Sequence, residues 1–195
     1  MTNHIRTAIV MTLVLAAITG IIYPLAVTGA AQVLFRDKAN GSFMEKDGIV
    51  VGSTYIGQAF TEDRYFQGRI SAAGATEENP NGYDALASGA SNLGPTNQVL
   101  IDRVQASIEQ IAEREGVEPS RIPADAVYAS GSGLDPDISP AYAEIQIPRV
   151  AGAHGMSEDE VRGLVKENTA DRQFGLLGEP RVNVLKLNLA LDGRQ

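Results

Sequence analysis

The chain has 195 residues, no cysteine, two histidines and a formal net charge of −8. Without thiols it forms no disulfide and no thiolate metal site, and two histidines are too few for a multi-histidine metal centre. The acidic balance argues against nucleic acid as a partner, because a phosphate backbone needs a basic footprint.

Between Arg6 and Arg36 lie 29 consecutive residues without a charge. A bilayer core about 30 Å thick is crossed by roughly 20 helical residues, so the apolar stretch from Ala8 to Val27 is long enough to span it. The predicted organisation is a short tail (1–7), a transmembrane helix (8–34) and one soluble domain (35–195). A cleaved signal peptide is the rival reading, with Gly29, Ala30 and Ala31 as small residues for a cleavage site. Signal-peptide apolar regions usually run about 7–15 residues, however, and this one is longer. Within the span, Pro24 has no N–H and its ring crowds the carbonyl of Gly20, so a kink or packing notch is expected. Gly20 and Gly29 would permit close approach of neighbouring helices. The plainer alternative is that Pro24 merely bends a lone anchor.

The charge count places Arg6 on one side and Arg36, Lys38 and Lys46 on the other, which by the positive-inside rule favours a cytoplasmic domain. That rule weakens for long translocated domains. The part after the span carries 15 basic and 24 acidic residues, a net −9. Such a field would welcome cations, or it simply keeps the domain soluble.

Ile49 to Ile56 reads as a short β segment, and Gly68 to Pro95, rich in Gly, Ser, Asn and Pro, as mostly loop. Asn97 offers a helix N-cap, after which Ile101, Val104, Ile108 and Ile111 recur at helical spacing until Gly116. Ser139 followed by Pro140 starts a second helix, which Pro148 should kink or end. Ser157 and Glu160 form a capping box leading into Val161, Leu164 and Val165. Leu185, Leu187, Leu189 and Leu191 alternate with Lys186, Asn188 and Ala190, the pattern of a half-buried strand, with a phase slip at Val184 and Leu185 read as a bulge. The mixture predicts an α+β fold.

No phosphate loop, zinc helix or nucleophile elbow is present. His154, between Gly152 and Gly155, reads most simply as a surface loop residue. The dense constellation runs from Ser130 to Pro140, where Gly131 and Gly133 reach backbone angles other residues avoid and Asp135 and Asp137 accept from turn amides. It is either a cation or hydroxyl site or a rigid loop tied down ahead of the Ser139 cap.

The segments YPL from Tyr23, GSTYIGQAF from Gly52, YFQGRISA from Tyr65, SGASNLGPTN from Ser88, ASGSGLDPDISPA from Ala129, QIPRVAGAHG from Gln146 and GEPRVNVLKLNLALD from Gly178 stand in one order. On these the chain resembles the C subunit of the Kdp-type bacterial potassium-transporting ATPase. Departures are Ile70 where the family usually has proline, Ala90 where glycine is usual, Asp137 for histidine and His154 for arginine. The resemblance implies a noncatalytic accessory subunit in an inner-membrane complex that imports potassium. Its implied partners are a channel-like A subunit, an ATP-hydrolysing B subunit, a small F subunit and membrane lipid. ATP and potassium would be handled by the complex, with no cofactor bound directly by this chain. The domain is expected on the periplasmic side over the A subunit, which overrides the charge count. Ser88, Gly89, Asn92, Gly131, Gly133, Asp135 and Ser139 are the candidate docking or structural loop residues.

A second role proposed in that family is a catalytic chaperone that raises the B subunit's affinity for ATP in a transient ternary complex, on the strength of an SGGS-like run. Here the run reads Leu86, Ala87, Ser88, Gly89, Ala90, Ser91, without the second glycine. A periplasmic domain would reach ATP affinity only by coupling across the membrane.

Overall fold

A computed structural model describes residues 2–193, with side chains from position 4 onward. Two compact units divide between Val51 and Gly52. In the first, helix α1 (Thr2–Ala17), a π-turn (Ile18–Ile22) and helix α2 (Tyr23–Leu34) form one continuous run. The stretch His4–Leu34 is 31 residues long and apolar enough to cross a membrane, and none of it is buried against the rest of the chain. At 1.5 Å per residue it measures about 45 Å, more than a bilayer core needs.

The π-turn sits where the proline requires it. Tyr23 N–H bonds back to the carbonyl of Ile18, and Pro24 follows in the first turn of α2. Pro24 removes a donor and crowds the Gly20 carbonyl, and the wider turn just before it supplies the extra room. Helix α3 (Arg36–Ala39) and a two-stranded hairpin, β1 (Phe43–Lys46) and β2 (Ile49–Ser53), complete the passage out of the span.

The second unit is α+β. After β2 the chain runs without regular structure to a single 3₁₀ turn at Ala85–Ala87, and then enters α4 (Gln98–Glu115). Asn97 accepts from Val99 N–H at the start of α4, and Gly116 closes it in the left-handed conformation. A 3₁₀ turn (Pro119–Arg121), α5 (Ala124–Val127) and strand β3 (Asp137–Ile138) lead to α6 (Pro140–His154), then α7 (Glu158–Glu167), β4 (Thr169–Ala170), β5 (Arg181–Asn183) and α8 (Val184–Asp192). The three short strands form an antiparallel sheet in the order β3-β5-β4, with Val182 opposite both Ile138 and Thr169. Phe66, Ile138, Ile147, Val150, Val161, Val182, Leu187 and Leu191 are its fully buried apolar centre.

Three sequence expectations need correction. Of the two outcomes expected at Pro148, a kink or an end, the end does not occur: helix α6 continues through it to His154. The proline lies on the exposed face, as does Glu144 four residues earlier, while Tyr142, Ala143, Gln146, Ile147, Val150 and Ala151 are buried. The carbonyl that loses its partner therefore faces solvent, where water satisfies it, and packing on the other face holds the helix together. Second, the leucine run is helix α8 and not a strand. Asn183 caps it by accepting from Lys186 N–H, and Val184, Leu187, Asn188 and Leu191 form the buried stripe at helical spacing. The apparent phase slip at Val184 and Leu185 was that helical stripe, not a bulge. Third, His154 belongs to no surface loop. It ends α6, half-buried, with Nε2 2.8 Å from the Arg64 carbonyl. On α4, Ile111 is buried and Val104 and Ile108 pack against the core, but Ile101 is exposed.

A candidate docking loop and an arginine-lined cleft

The constellation from Ser130 to Pro140 is a tied-down loop. Gly133 has φ +69°, and a Cβ there would stand 2.7 Å from both Ala73 N and Ala73 Cβ, so no other residue fits. Gly131 has no such requirement: it is exposed and has open space around it. Ser71 Oγ donates to the Gly133 carbonyl at 2.6 Å, and Gly57 N–H donates to Leu134 O at 2.8 Å. Asp135 accepts from the Asp137 amide at 3.0 Å and pairs with Arg69 at 2.8 Å. Asp137 serves a different purpose from a turn-amide acceptor, since its carboxylate takes Asn183 Nδ2 and Arg181 Nε across the sheet. Ser139 caps α6 by accepting from Tyr142 N–H at 3.0 Å, and Asp125 of α5 accepts from both Ser139 N–H and Oγ–H at 2.8 Å.

Ser88 and Gly89 join this loop: Ser88 Oγ and Gly89 N–H both donate to the Ser132 carbonyl, at 3.0 and 2.8 Å. Asn92 does not, being exposed at φ +52° with its amide turned to the Ala90 carbonyl at 3.2 Å. In the first unit Gly20, Pro24 and Gly29 are all exposed, and a Cβ on either glycine would meet nothing within 4 Å.

Sequence reasoning missed the groups that hold the YFQGR segment in place. Two fully buried side-chain amides act as substitute strand partners for it. Asn188 of α8 accepts from Phe66 N–H and donates to Phe66 O, both at 2.9 Å. Gln146 of α6 accepts from Gln67 N–H at 2.8 Å and donates to Gln67 O at 3.2 Å. A central polar residue inside otherwise apolar helix sequence was the available signal, since a buried amide must find partners.

Beneath this lies an ion cluster. Glu115, its side chain wholly buried, receives Arg114 Nε at 2.8 Å and Arg149 Nε at 2.9 Å. Arg149 continues to Gln146 Oε1 and to the carbonyls of Tyr65 and Asp63. Asp192 takes Arg64 at 2.9 Å and the Tyr65 hydroxyl at 3.2 Å.

Alongside runs a cleft of about 540 Å³ between one face of α4 and the segments from Ala59 to Ala75 and Pro80 to Tyr83. Tyr83 forms part of its wall in a conformation a bulky residue seldom adopts, φ +60°. Ser71 Oγ accepts from its N–H at 2.8 Å and its hydroxyl donates to Arg69 O at 2.6 Å. The ring occupies a slot left by two glycines, since a Cβ on Gly57 or Gly68 would come within 2.7 or 2.5 Å of it. Burial, then the neighbouring Tyr142 and Asp135, pushes the Tyr83 phenol well above its ordinary 10.0. A raised folded-state value means that its stabilisation is complete below pH 10 and is lost as the pH rises beyond that. The expected result is a denaturation midpoint that falls between pH 9 and 11 less steeply in Tyr83→Phe than in the parent chain, by equilibrium unfolding; parallel pH profiles would show that Tyr83 does not carry the effect.

Among the described residues no group of three or more His, Asp or Glu is placed to hold a metal ion. The tip between β4 and β5 is apolar, with Phe174, Leu176 and Leu177 at 84%, 80% and 60% exposure and the turn closed by a Gln173–Leu177 bridge.

Residues 5–193 match the family described as "KdpC: K+-transporting ATPase, c chain". The "Potassium-transporting ATPase KdpC subunit" of Gemmatimonas aurantiaca is 57% identical over 192 residues, 98% of this chain and 94% of that one. Those of Koribacter versatilis and Sorangium cellulosum are 50% and 53% identical, covering 100% and 99% of this chain and 97% and 99% of theirs. With likeness that runs from the apolar helix to the end of α8, the chain belongs to the KdpC family, the c chain of K+-transporting ATPases.

Proposed function

We propose that this chain is a noncatalytic accessory subunit of an ATP-driven potassium uptake complex, anchored by a single helix, with its α+β unit on the outer face of the cell membrane. Family membership supports the complex. The observation that carries the anchored reading is the span His4–Leu34, 31 residues long, apolar enough to cross a membrane and without a buried residue. An exposed Gly20, Pro24 and Gly29 leave its surface open to close packing against helices of the A, B or F subunits.

The β4–β5 tip fits docking on a partner subunit. Three large apolar side chains at one turn are the kind of exposed patch that marks an interaction site, and Phe174 is presented on a turn stabilised by its own backbone bonds. The docking loop at Ser88, Gly89, Gly131, Gly133, Asp135 and Ser139 gives a second rigid surface.

A reporter fused after Gln195 is expected to be active only in the periplasm. In the same cells the double variant Phe174→Ser, Leu176→Ser is expected to lose co-purification with the other subunits while keeping its own melting temperature. A reporter active in the cytoplasm would overturn the outer-face placement and favour the alternative, a chaperone that raises the B subunit's affinity for ATP by direct contact. Retained co-purification would remove the tip from the interface.

A general acidic field supplying potassium to the complex has weaker support. Glu158 and Asp159, two of the acids in the first turn of α7, are engaged by Arg162 at 3.6 and 2.7 Å. Their charge is partly cancelled before it reaches solvent.

A further inference from the structure

The cleft along α4 reverses the charge of the unit that contains it. Of its 20 lining residues three are arginines, Arg69, Arg103 and Arg114, and none is Asp or Glu, although the chain has 24 acids against 16 basic residues. The helix produces this by periodicity. Arg103, Ser107, Gln110, Ile111 and Arg114 face the cleft at spacings of three and four, while Asp102, Glu109 and Glu113 of the same helix lie outside the lining.

The three cations are not equally engaged. Arg69 pairs with Asp135, and Arg114 with Glu115 and Gln67. Arg103 has no ion pair among the described residues, and its Nε–H is sealed from solvent without an acceptor; the Arg69 Nε–H is in the same condition. Arg64 Nε–H, outside the cleft lining, is also sealed off without an acceptor, so what sets Arg103 apart is that no anion of the described chain pairs with its charge, and an anion entering the cleft would balance it. The cleft volume, about 540 Å³, falls in the range of small-molecule sites. The Tyr83 wall is locked by its two hydrogen bonds, which reduces the ordering cost of binding.

We propose that this cleft binds a small multivalent oxyanion, a carboxylate- or phosphate-bearing molecule, with Arg103 as its principal contact and Arg69 and Arg114 at its sides. A guanidinium fork matches both carboxylate and phosphate oxygens in pairs, and the side-chain amide of Gln110 adds a neutral donor on the same stripe. The site stands independently of the accessory role proposed above, because it requires no other subunit.

Calorimetric titration of the purified full chain in detergent, with pyrophosphate in one arm and citrate in the other at constant ionic strength, tests it. Saturable one-to-one binding of at least one anion is expected, and the tighter arm tells a phosphate source from a carboxylate one. Arg103→Gln should weaken that binding about tenfold, the worth of one charge-assisted hydrogen bond. Gln110→Glu, an exposed substitution that puts a negative charge into the cleft, should weaken it too, which keeps the test valid if the arginine variant folds poorly. Absence of saturable binding in both arms overturns the proposal, as does binding that neither substitution changes.

Discussion

Glu115→Ala is expected to lower the stability of the folded unit by about 3–5 kcal/mol, the cost of breaking a buried ion pair by removing one partner. The Glu115 carboxylate has no exposed surface and is shared by two guanidinium groups, Arg114 and Arg149, whose side chains are only 21% and 10% exposed. Alanine would leave both positive charges in a poorly hydrated site, facing each other without the anion between them. The damage would spread through Arg149 to Gln146 and the carbonyls of Asp63 and Tyr65, and so to the segment that carries Phe66 into the core. Equilibrium unfolding in denaturant should show a lower midpoint with an unchanged slope, the sign of altered stability rather than altered compactness. A loss below about 1 kcal/mol, the ordinary effect of a substitution without a special mechanism, would mean that the cluster does not support the fold.

Leu187→Ala is expected to cost about 2–5 kcal/mol, as for other buried leucines, and Leu189→Ala much less. Leu187 is completely buried at the centre of α8, whereas Leu189 lies two positions round the helix and remains partly exposed. In a strand these two residues would share one face and lose stability equally. The same unfolding measurement on both variants therefore reports the conformation of the segment, and equal losses would contradict the helix. Leu185 is a separate case, since it is buried against Gly52, where a Cβ would stand 2.9 Å from its Cδ2.

Both periods are present in the α8 segment. Leu185, Leu187, Leu189 and Leu191 satisfy a two-residue repeat, and Val184, Leu187, Asn188 and Leu191 satisfy a helical one with a polar residue in its centre. Asn188 looked like a solvent-facing position only because its partners are far away in sequence. In the fold it clamps both backbone groups of Phe66, 122 residues earlier, and that bond makes a polar side chain part of the buried stripe.

Local chemistry was enough for the apolar span, the Asn97, Ser139 and Ser157 caps, the left-handed stop at Gly116 and the ordered families of motifs that mark the chain as KdpC. Each of these depends on groups within a few residues of one another, so each is written in a short stretch of sequence. Continuation of α6 through Pro148, the helical state of α8, the Glu115 cluster and the arginine-lined cleft were decided only by tertiary structure. In every one of them the deciding contact joins residues far apart in the chain: a buried opposite face outweighs a lost hydrogen bond, a remote backbone satisfies a buried amide, and the folding of two distant segments brings Arg69, Arg103 and Arg114 to one cleft.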